Sequence, residues 1–177
     1  CIRDSKIIDI RKPEDYNAGH IPNAVNFPYT ELQVDKNGVS GMLPSAEYME
    51  DKLSNLGVSP EDTIVIYDHI KNLWSTRLLW TLDVYGHEDT RIIDGAWGLW
   101  EANGLAISVD ASNIKSSKYS FSGSPNSDLI VDLNGVLQSL EENTTLVLDT
   151  RSADEFTGRD VRTERGGHIP SSILSLI

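Results

Sequence analysis

Cysteine is almost missing from the sequence: Cys1 is the single thiol among 177 residues. One cysteine forms no disulfide within the chain and fits a reducing compartment, so we expect a cytoplasmic protein. Cys1 is terminal, with no predicted loop or helix around it that would lower its pKa, and reactive thiols need an electropositive surrounding. We therefore expect no catalytic role for Cys1.

Long apolar runs and clusters of basic residues are also missing. No stretch is long enough to span a membrane, and no basic-then-apolar leader opens the sequence, although one could precede Cys1. Lysine and arginine together number 15 against 27 acidic residues, which gives a formal net charge of -12. Because binding to nucleic acid needs clustered positive charge, we expect neither a nucleic acid nor a membrane as partner. The acidity is better explained as a contribution to solubility.

What the sequence does contain is an alternation of apolar runs and amphipathic segments, which predicts an α/β fold with an open parallel sheet flanked by helices. Predicted strands cover residues 6–11, 24–27, 63–67 and 90–94. Predicted helices begin near Pro13, follow the Ser45 cap as far as Gly57, run from Ser75 to Tyr85 before Gly86, and run from Leu99 to Asn103 after a turn at 95–97. The strand at 63–67 is apolar on both faces, which predicts that both of its faces are buried.

Asp68 directly follows this strand, at the turn into the helix of residues 75–85. In an open α/β sheet such a turn is where ligands bind, because amides at the helix N-terminus point at the ligand. A reactive side chain is therefore expected there, and the sequence has an aspartate instead. We favour a structural interpretation, in which the carboxylate caps the loop amides and takes the place of an anion.

A motif that occurs twice is the strongest organisational signal. Asp9-Ile10-Arg11 precedes Gly19-His20-Ile21-Pro22, and Asp149-Thr150-Arg151 precedes Gly167-His168-Ile169-Pro170. Each copy follows an apolar strand, which predicts an internal repeat. Residues 108–127 are rich in Ser, Asn, Lys and Gly, which predicts a linker. We therefore expect a first domain at 1–107 and the beginning of a second at 128–177, opened by an amphipathic helix over 128–143 and a strand at 145–149.

These residues resemble the tandem rhodanese-type sulfurtransferases, the group of thiosulfate and 3-mercaptopyruvate sulfurtransferases. The resemblance rests on the repeated motif, on Tyr67-Asp68 followed by an Arg77-x-x-Trp80 helix, and on the segment 94–100, Asp-Gly-Ala-Trp-Gly-Leu-Trp, in which Ala96 replaces a family glycine. It implies transfer of sulfane sulfur through a cysteine persulfide. It further implies a small anionic, thiosulfate-like donor, a thiol or cyanide acceptor, and no cofactor or metal.

The resemblance places Asp68 at the nucleophile position of a silent first repeat, so no residue of the sequence is predicted to be catalytic. Counting from Asp149 puts the cysteine of the second repeat beyond Ile177. We therefore expect this chain to be inactive as it stands and to carry the silent repeat of a sulfurtransferase. The alternative is a non-catalytic rhodanese-like module that binds a protein or a small anion.

Three arginines lie in a polar insertion of the second motif: Arg159, Arg162 and Arg165. The resemblance implies that residues of this insertion bind the donor's anionic group. Glu155 stands where mercaptopyruvate-preferring members have an arginine, which favours thiosulfate. The alternative is a solvated loop of mixed charge, because two acidic residues stand among the arginines. Neither interpretation selects one arginine.

Other polar and aromatic residues favour structural roles. His20 and His168 recur within a turn, which favours a ring nitrogen bonded to a neighbouring strand, and one histidine per copy has no metal-ligand spacing. Arg11 and Arg151 are expected to pair with nearby acids or with strand-end carbonyls. The four tryptophans are expected to pack in the core or against a second domain. Half of a second domain would leave its apolar strand unburied, which predicts dimerisation, strand exchange or poor solubility.

Overall fold

The computed structural model describes residues 5–142 and 145–175, so Cys1 lies outside the described residues. The chain divides into two compact units, residues 1–127 and 128–177, which we call unit 1 and unit 2. Unit 1 contains β1 (Lys6–Asp9), α1 (Pro13–Ala18), β2 (Val25–Asn26), a 3-10 turn (Tyr29–Leu32), β3 (Val34–Lys36), β4 (Val39–Met42), α2 (Ala46–Asn55), β5 (Ile64–Tyr67), α3 (Leu73–Tyr85), β6 (Thr90–Ile92) and α4 (Ala96–Ala102). Unit 2 contains α5 (Leu133–Glu142), β7 (Leu148–Asp149), α6 (Ala153–Thr157) and β8 (Ile173–Leu174), and a 3-10 turn (Ser127–Leu129) lies at the boundary.

Four parallel strands form the sheet of unit 1, in the order β2-β1-β5-β6. The fold is therefore α/β with a parallel sheet and flanking helices, as predicted. In the register of β1 and β5, Asp9 is opposite Tyr67. Because parallel strands end at the same edge of a sheet, this register brings the first copy of the repeated motif beside the turn that contains Asp68.

The alternation of side chains along β5 explains why all four of its residues are buried. Ile64 and Ile66 point into one core cluster, while Val65 and Tyr67 point into a second cluster on the other face. The larger cluster includes Ile8, Ile10, Phe27, Met49, Leu53, Leu78 and Leu82, and the smaller one includes Ile7, Tyr16, Ile21 and Ala24. The burial predicted for both faces of this strand is confirmed.

Two helix ends lie where their capping residues were predicted. The Ser45 hydroxyl accepts a 3.3 Å hydrogen bond from the Tyr48 amide at the start of α2. Gly86 ends α3 with a φ of 83°, a left-handed conformation that glycine adopts without steric cost.

The main differences from the prediction in unit 1 are at α3, at α4 and in a hairpin. Helix α3 begins at Leu73 and not at Ser75. Helix α4 begins at Ala96 and not at Leu99, so residues predicted as a turn belong to the helix. Strands β3 and β4 form an antiparallel hairpin that the sequence reasoning missed. Asn37 and Gly38 connect these strands with φ values of 54° and 78°, the signs typical of a type I′ turn. The exposed, mixed polarity of the flanking residues concealed the alternation by which strands are recognised.

Residues 108–126, predicted as part of a linker, contain neither helix nor strand but pack along unit 1, and we call them the strap. The Tyr119 ring is buried, and its backbone amide donates a 2.9 Å hydrogen bond to the Ser54 hydroxyl. The Phe121 amide donates a 2.8 Å bond to Oε1 of Glu50. The strap is therefore part of the structure of unit 1 and not a solvated tether, while the division into two domains stays a prediction.

Unit 2 has a two-stranded parallel sheet, in which Leu148 pairs with Ile173 and Asp149 with Leu174. The predicted helix over 128–143 is shorter in the structure, where α5 begins at Leu133, and Asn143 lies outside the described residues. Across the described parts of both units, no helix combines the length and the apolar character needed to cross a membrane.

Candidate functional site

The turn after β5 wraps its backbone amides around the carboxylate of Asp68, and we call residues 68–75 the amide loop. The Asp68 side chain is buried, and its Oδ1 accepts hydrogen bonds from the amides of Ile70 at 2.8 Å and Asn72 at 2.9 Å. Its Oδ2 accepts from the amides of Trp74 at 2.9 Å and Ser75 at 3.0 Å. Four amides thus converge on one carboxylate.

The backbone conformation of the loop produces this convergence. Lys71 and Asn72 have φ values of 49° and 65°, in the left-handed region that L-residues seldom adopt. Left-handed residues turn successive amides toward one point, and α3 adds the free amides of its first turn. Oδ1 of Asn72 is buried without a hydrogen-bond partner among the described residues. The loop therefore has the geometry of an anion site, with the anion built into the chain.

A carboxylate in this position has no nucleophilic sulfur to offer. The described residues contain no cysteine, since the single Cys1 lies outside them. Asp68 cannot form a persulfide, and its oxygens are already occupied by the loop amides. The contacts are those that the capping interpretation of Asp68 requires.

Beside the amide loop, the first motif forms a buried ion pair. Arg11 donates to Oδ2 of Asp9 at 2.6 Å and to the carbonyl oxygen of Gly19 at 2.6 Å. Its guanidinium lies over the Trp97 ring, 4.2 Å from the centroid. The predicted pairing of Arg11 with a nearby acid is thus confirmed, while the carbonyl that it bonds belongs to the end of α1 and not to a strand end. The ion pair locks the end of β1 to the turn of the motif and leaves Arg11 no freedom to bind a solute.

Tyr67 connects this ion pair to the central strand. Its hydroxyl donates a 2.5 Å hydrogen bond to Oδ2 of Asp9 and accepts one of 3.1 Å from the Ile21 amide. Burial and the neighbouring Asp9 carboxylate raise the pKa of Tyr67 well above its ordinary value. The hydroxyl therefore stays protonated and acts as a structural donor.

The two motif histidines bond to carbonyls of the preceding helices and not to neighbouring strands, which corrects the predicted partner. Nδ1 of His20 is 2.9 Å from the carbonyl oxygen of Tyr16, and the two rings stack with centroids 3.9 Å apart. His168 repeats the arrangement on Phe156, with a 2.8 Å bond and a centroid distance of 3.7 Å. Because a carbonyl only accepts, Nδ1 must hold the proton in both rings. No cluster of metal-ligating side chains occurs within residues 5–142 and 145–175.

The second motif makes the same set of contacts in unit 2. Arg151 donates to Oδ2 of Asp149 at 2.6 Å and to the carbonyl oxygen of Gly167 at 2.8 Å. The bonds to Arg151 lower the pKa of Asp149. Here the ion pair is open to solvent and borders a cavity of about 550 Å³ that is also lined by Arg165 and His168.

The three arginines of the insertion have different surroundings in the structure. Arg159 forms a 2.5 Å ion pair with Asp154. Arg162 lies 3.2 Å from Glu155 and 3.2 Å from an oxygen of Asp160. These two side chains fit the solvated, mixed-charge interpretation. Arg165 is the arginine of the insertion that lines the cavity, beside Arg151.

Glu155 has a structural partner that the sequence reasoning missed. It forms a capping box with Ser152: the Glu155 amide donates to the Ser152 hydroxyl at 3.2 Å, and the Ser152 amide donates to Oε2 of Glu155 at 3.1 Å. The Ser-x-x-Glu spacing is a known helix-start signal and could have predicted this. The bonds to Ser152 also lower the pKa of Glu155.

The four tryptophans belong to unit 1 and pack against its two core clusters. Trp97 and Trp100 cover the smaller core cluster, while Trp74 and Trp80 cover the larger one. Trp74 stacks on Tyr29 with centroids 4.4 Å apart. These contacts confirm the predicted packing role.

Comparison with known proteins gives consistent matches. The rhodanese-like domain family matches residues 2–103. A relative from Mycobacterium leprae, named as the thiosulfate sulfurtransferase SseA, is 30% identical over 168 residues, which cover 89% of this chain and 54% of the relative. Thiosulfate/3-mercaptopyruvate sulfurtransferase 2 of Arabidopsis thaliana is 28% identical over 181 residues, covering 90% of this chain and 53% of its own length.

A solved structure matches the fold of the chain. The crystal structure of SseA from Escherichia coli, described as a 3-mercaptopyruvate sulfotransferase of the rhodanese fold, superimposes with a TM-score of 0.83 at 27% identity. The match covers 97% of this chain and 68% of that protein. The chain therefore spans about half the length of the curated relatives it matches and about two thirds of this structure.

Proposed function

The chain belongs to the rhodanese-like domain family, and from that premise we propose that it is part of a sulfurtransferase of the thiosulfate:cyanide type, with unit 1 as its silent domain. In such an enzyme a cysteine thiolate takes a sulfane sulfur from the donor and holds it as a persulfide. A thiol or cyanide then accepts that sulfur. The names of the relatives, which include thiosulfate and 3-mercaptopyruvate sulfurtransferases, support this chemistry.

The observation that carries the proposal is the position of Asp68 in the amide loop. A persulfide-forming cysteine needs converging amides that stabilise its thiolate and the donor's charge. Unit 1 has such a ring of amides, but Asp68 occupies its centre. We assign unit 1 as the non-catalytic repeat, and unit 2 as the beginning of the repeat that carries the cysteine.

Arg165 is the donor-binding arginine of this proposal. Arg159 and Arg162 are paired with carboxylates, which compete with an incoming anion. Arg165 lines the cavity beside His168 and Arg151. Because Arg151 is paired with Asp149, Arg165 is the cavity arginine that would offer its charge to a small dianion. Glu155 stands where mercaptopyruvate-preferring members have an arginine, and its carboxylate is bonded to Ser152 and Arg162, so this position offers no positive charge to a donor carboxylate, which supports thiosulfate.

Replacing Asp68 by cysteine tests whether the amide loop is a sulfur cradle. The variant is made in a Cys1→Ser background, so that the introduced thiol is the single one in the chain. After treatment with thiosulfate, the intact mass should rise by one sulfur atom, which cyanide should remove. The Cys1→Ser protein without the second change is the control and should gain no sulfur. An unmodified mass for the D68C protein, with folding intact, would reject the loop as a rhodanese cradle.

Titration with thiosulfate tests the donor site separately. Chemical shifts of residues around the unit 2 cavity should move in a saturable way, and Arg165→Ala should abolish the change. Arg159→Ala is the matched control, because this exposed arginine pairs with Asp154 away from the cavity lining. Equal effects of the two variants would reject the assignment of Arg165.

A second candidate function is a non-catalytic module, and the same aspartate favours it. A loop whose amides bind the carboxylate of Asp68 keeps its conformation without a substrate, as a module that catalyses no reaction would require. In that case the D68C protein would not transfer sulfur to cyanide.

A further inference from the structure

Asparagine followed by glycine occurs three times in the chain, and the structure gives the three pairs different surroundings. The pairs are Asn37-Gly38, Asn103-Gly104 and Asn134-Gly135. In such a pair the amide nitrogen of the glycine can attack the side-chain amide carbon of the asparagine, which closes a five-membered succinimide ring. Glycine hinders this attack least, because it has no side chain beside the nitrogen. The attack needs a glycine amide that is free of hydrogen bonds and a backbone that can turn toward the side chain.

The pair at the end of α4 has both reacting groups bonded. The Gly104 amide donates to the carbonyl oxygen of Glu101 at 2.9 Å. The side-chain amide of Asn103 donates to the carbonyl oxygen of Leu99 at 2.7 Å. Both bonds would have to break before the nitrogen of Gly104 could reach the side chain of Asn103.

The pair in α5 is held as well. The Gly135 amide donates to Oδ1 of Asp132 at 2.8 Å. Both residues of the pair lie within the helix, Leu133–Glu142, whose backbone dihedral angles fix the position of each amide relative to the preceding side chain. Reaction at Asn134 therefore requires the first turn of α5 to open.

The Asn37-Gly38 turn of the β3-β4 hairpin has neither form of protection. Both residues are exposed, and neither the Asn37 side chain nor the Gly38 amide has a hydrogen-bond partner among the described residues. A Cβ atom added to Gly38 would meet nothing within 4 Å beyond the adjoining residues. Strands β3 and β4 form a two-stranded sheet of their own, and a hairpin of this kind is only marginally stable in water. The turn can therefore open while the parallel sheet of unit 1 stays intact.

We propose that Asn37 is a modification site, at which the chain deamidates itself without an enzyme. The Gly38 nitrogen gives its proton to the solvent and forms a bond to Cγ of Asn37. The bond from Cγ to the side-chain nitrogen breaks, and this nitrogen takes a proton from the solvent and leaves as ammonia. Water then opens the succinimide at either carbonyl group and leaves an aspartate or an isoaspartate. The sum of the steps is the gain of a water and the loss of an ammonia, with no oxidation or reduction.

The isoaspartate product would disrupt the hairpin. It carries the main chain through its β-carbon, which lengthens a turn whose two residues must keep positive φ angles to match the twist of the strands. Lys36 pairs with Val39 across this turn. The carbonyl oxygen of Gly41, in β4, accepts a 2.8 Å hydrogen bond from Arg77 of α3. The modification therefore acts on the contact between the hairpin and α3.

Peptide mapping of the full 177-residue chain tests the assignment on the unaltered protein. After incubation of the folded chain in mildly alkaline buffer, mass spectrometry measures the replacement of the side-chain NH2 by OH at each pair. Asn37 should react at least roughly tenfold faster than Asn103 or Asn134, because each of those sites must first break a hydrogen bond. Equal rates at the three pairs, or a faster reaction at either helix, would overturn the proposal.

Incubation in concentrated urea is the matched control, because it removes the structure and keeps the sequence. The three rates should then converge to within roughly threefold, since no folded element protects any of the pairs. A preference for Asn37 that persisted in urea would mean that the flanking residues select the site, and would overturn the structural argument. Gly38→Ala, which adds a methyl group beside the attacking nitrogen, should slow the reaction at Asn37 and leave that at Asn103 unchanged.

Asn37→Asp separates the two products of the reaction. It has the new negative charge on an ordinary main chain, so the pairing of Lys36 with Val39 should persist in this variant. In the isoaspartate fraction of the incubated protein, the amide signals of these two residues should lose the cross-strand contacts seen by NMR. An isoaspartate fraction with intact pairing would overturn the consequence proposed for the hairpin.

Discussion

The Tyr67 hydroxyl is 2.5 Å from Oδ2 of Asp9, so the last residue of β5 is bonded to the last residue of β1 at the edge of the sheet that carries the amide loop. The same carboxylate is bound by Arg11. One buried acid thus joins two strands and the turn of the first motif.

Removing the Tyr67 hydroxyl should therefore destabilise unit 1. Tyr67→Phe leaves Asp9 short of one donor and the Ile21 amide without an acceptor, both in a buried site, which should cost about 2 to 3 kcal/mol. Tyr16→Phe is the matched control, because its hydroxyl donates to a neutral carbonyl, that of Ala24, and its loss should cost about 1 kcal/mol. Urea unfolding of the two variants gives the comparison, and equal losses would contradict the argument.

Much of this arrangement could be predicted from sequence, because it depends on local patterns. The apolar run of β5, the Ser45 cap and the Gly86 stop each depend on neighbouring residues. The sequence predicts the position of Asp68 at the strand-to-helix turn for the same reason. Which amides its oxygens would bind could not be predicted, because the answer depends on the left-handed backbone of Lys71 and its neighbour, which no side chain specifies.

Two predictions that were wrong in unit 1, for the linker and for the start of α4, have physical causes. The strap has few apolar residues, so its composition is typical of a linker. It is held to unit 1 by hydrogen bonds to residues distant in sequence, such as the bond from the Tyr119 amide to the Ser54 hydroxyl, and composition does not show such bonds. Helix α4 begins three residues before the predicted Leu99 because Gly95, in a left-handed conformation, caps its N-terminus. Ala96 follows with a φ of 52°, which explains why the resemblance places a glycine at this position.

The Asp68 carboxylate should be replaceable by a free anion. Asp68→Ala leaves four converging amides without an acceptor, and the free energy of unfolding should fall by about 3 kcal/mol. Added sulfate should raise the melting temperature of this variant more than that of the wild type, because the emptied loop binds it. Asp35→Ala, at an exposed position, should change stability by no more than about 0.5 kcal/mol. An unchanged stability of the Asp68 variant would contradict the capping role.

The stability of unit 1 should decrease in acid because of His87. Its ring is buried, with Nδ1 2.8 Å from the Tyr119 hydroxyl, and burial lowers its pKa below the ordinary 6.5. Between the lowered pKa and the ordinary one, the unfolded chain binds more protons than the folded chain, so stability is full at higher pH and is lost as the pH falls below about 6.5. Unfolding by urea at about pH 8 and about pH 5 measures the loss, and His87→Gln should reduce it. An identical pH dependence in wild type and variant would exclude His87 as the cause.

Gly57 should be required for the packing of the strap against unit 1, because a larger residue at this position would collide with the strap backbone. It has a φ of 70°, and a Cβ atom there would lie 2.4 Å from the Lys115 carbonyl oxygen, so the strap backbone would have to move. Gly57→Ala should cost roughly 2 kcal/mol or more, the sum of a strained backbone and a displaced contact. Gly38→Ala is the matched control, because its φ is 78° but nothing lies within 4 Å of the added atom. Thermal melting should show a larger loss of stability for Gly57→Ala than for Gly38→Ala. Equal losses would mean that the strap backbone moves away from the added Cβ atom without cost.

The anion of the amide loop is covalently attached, so it is present beside the loop amides in every molecule. A tethered group of this kind binds in an intramolecular step, with an effective concentration of roughly millimolar or higher. Sulfate, phosphate or thiosulfate must therefore compete with a tethered carboxylate that four amides already bind. A free anion thus meets a filled site in unit 1, and the binding of a donor is left to other parts of the protein.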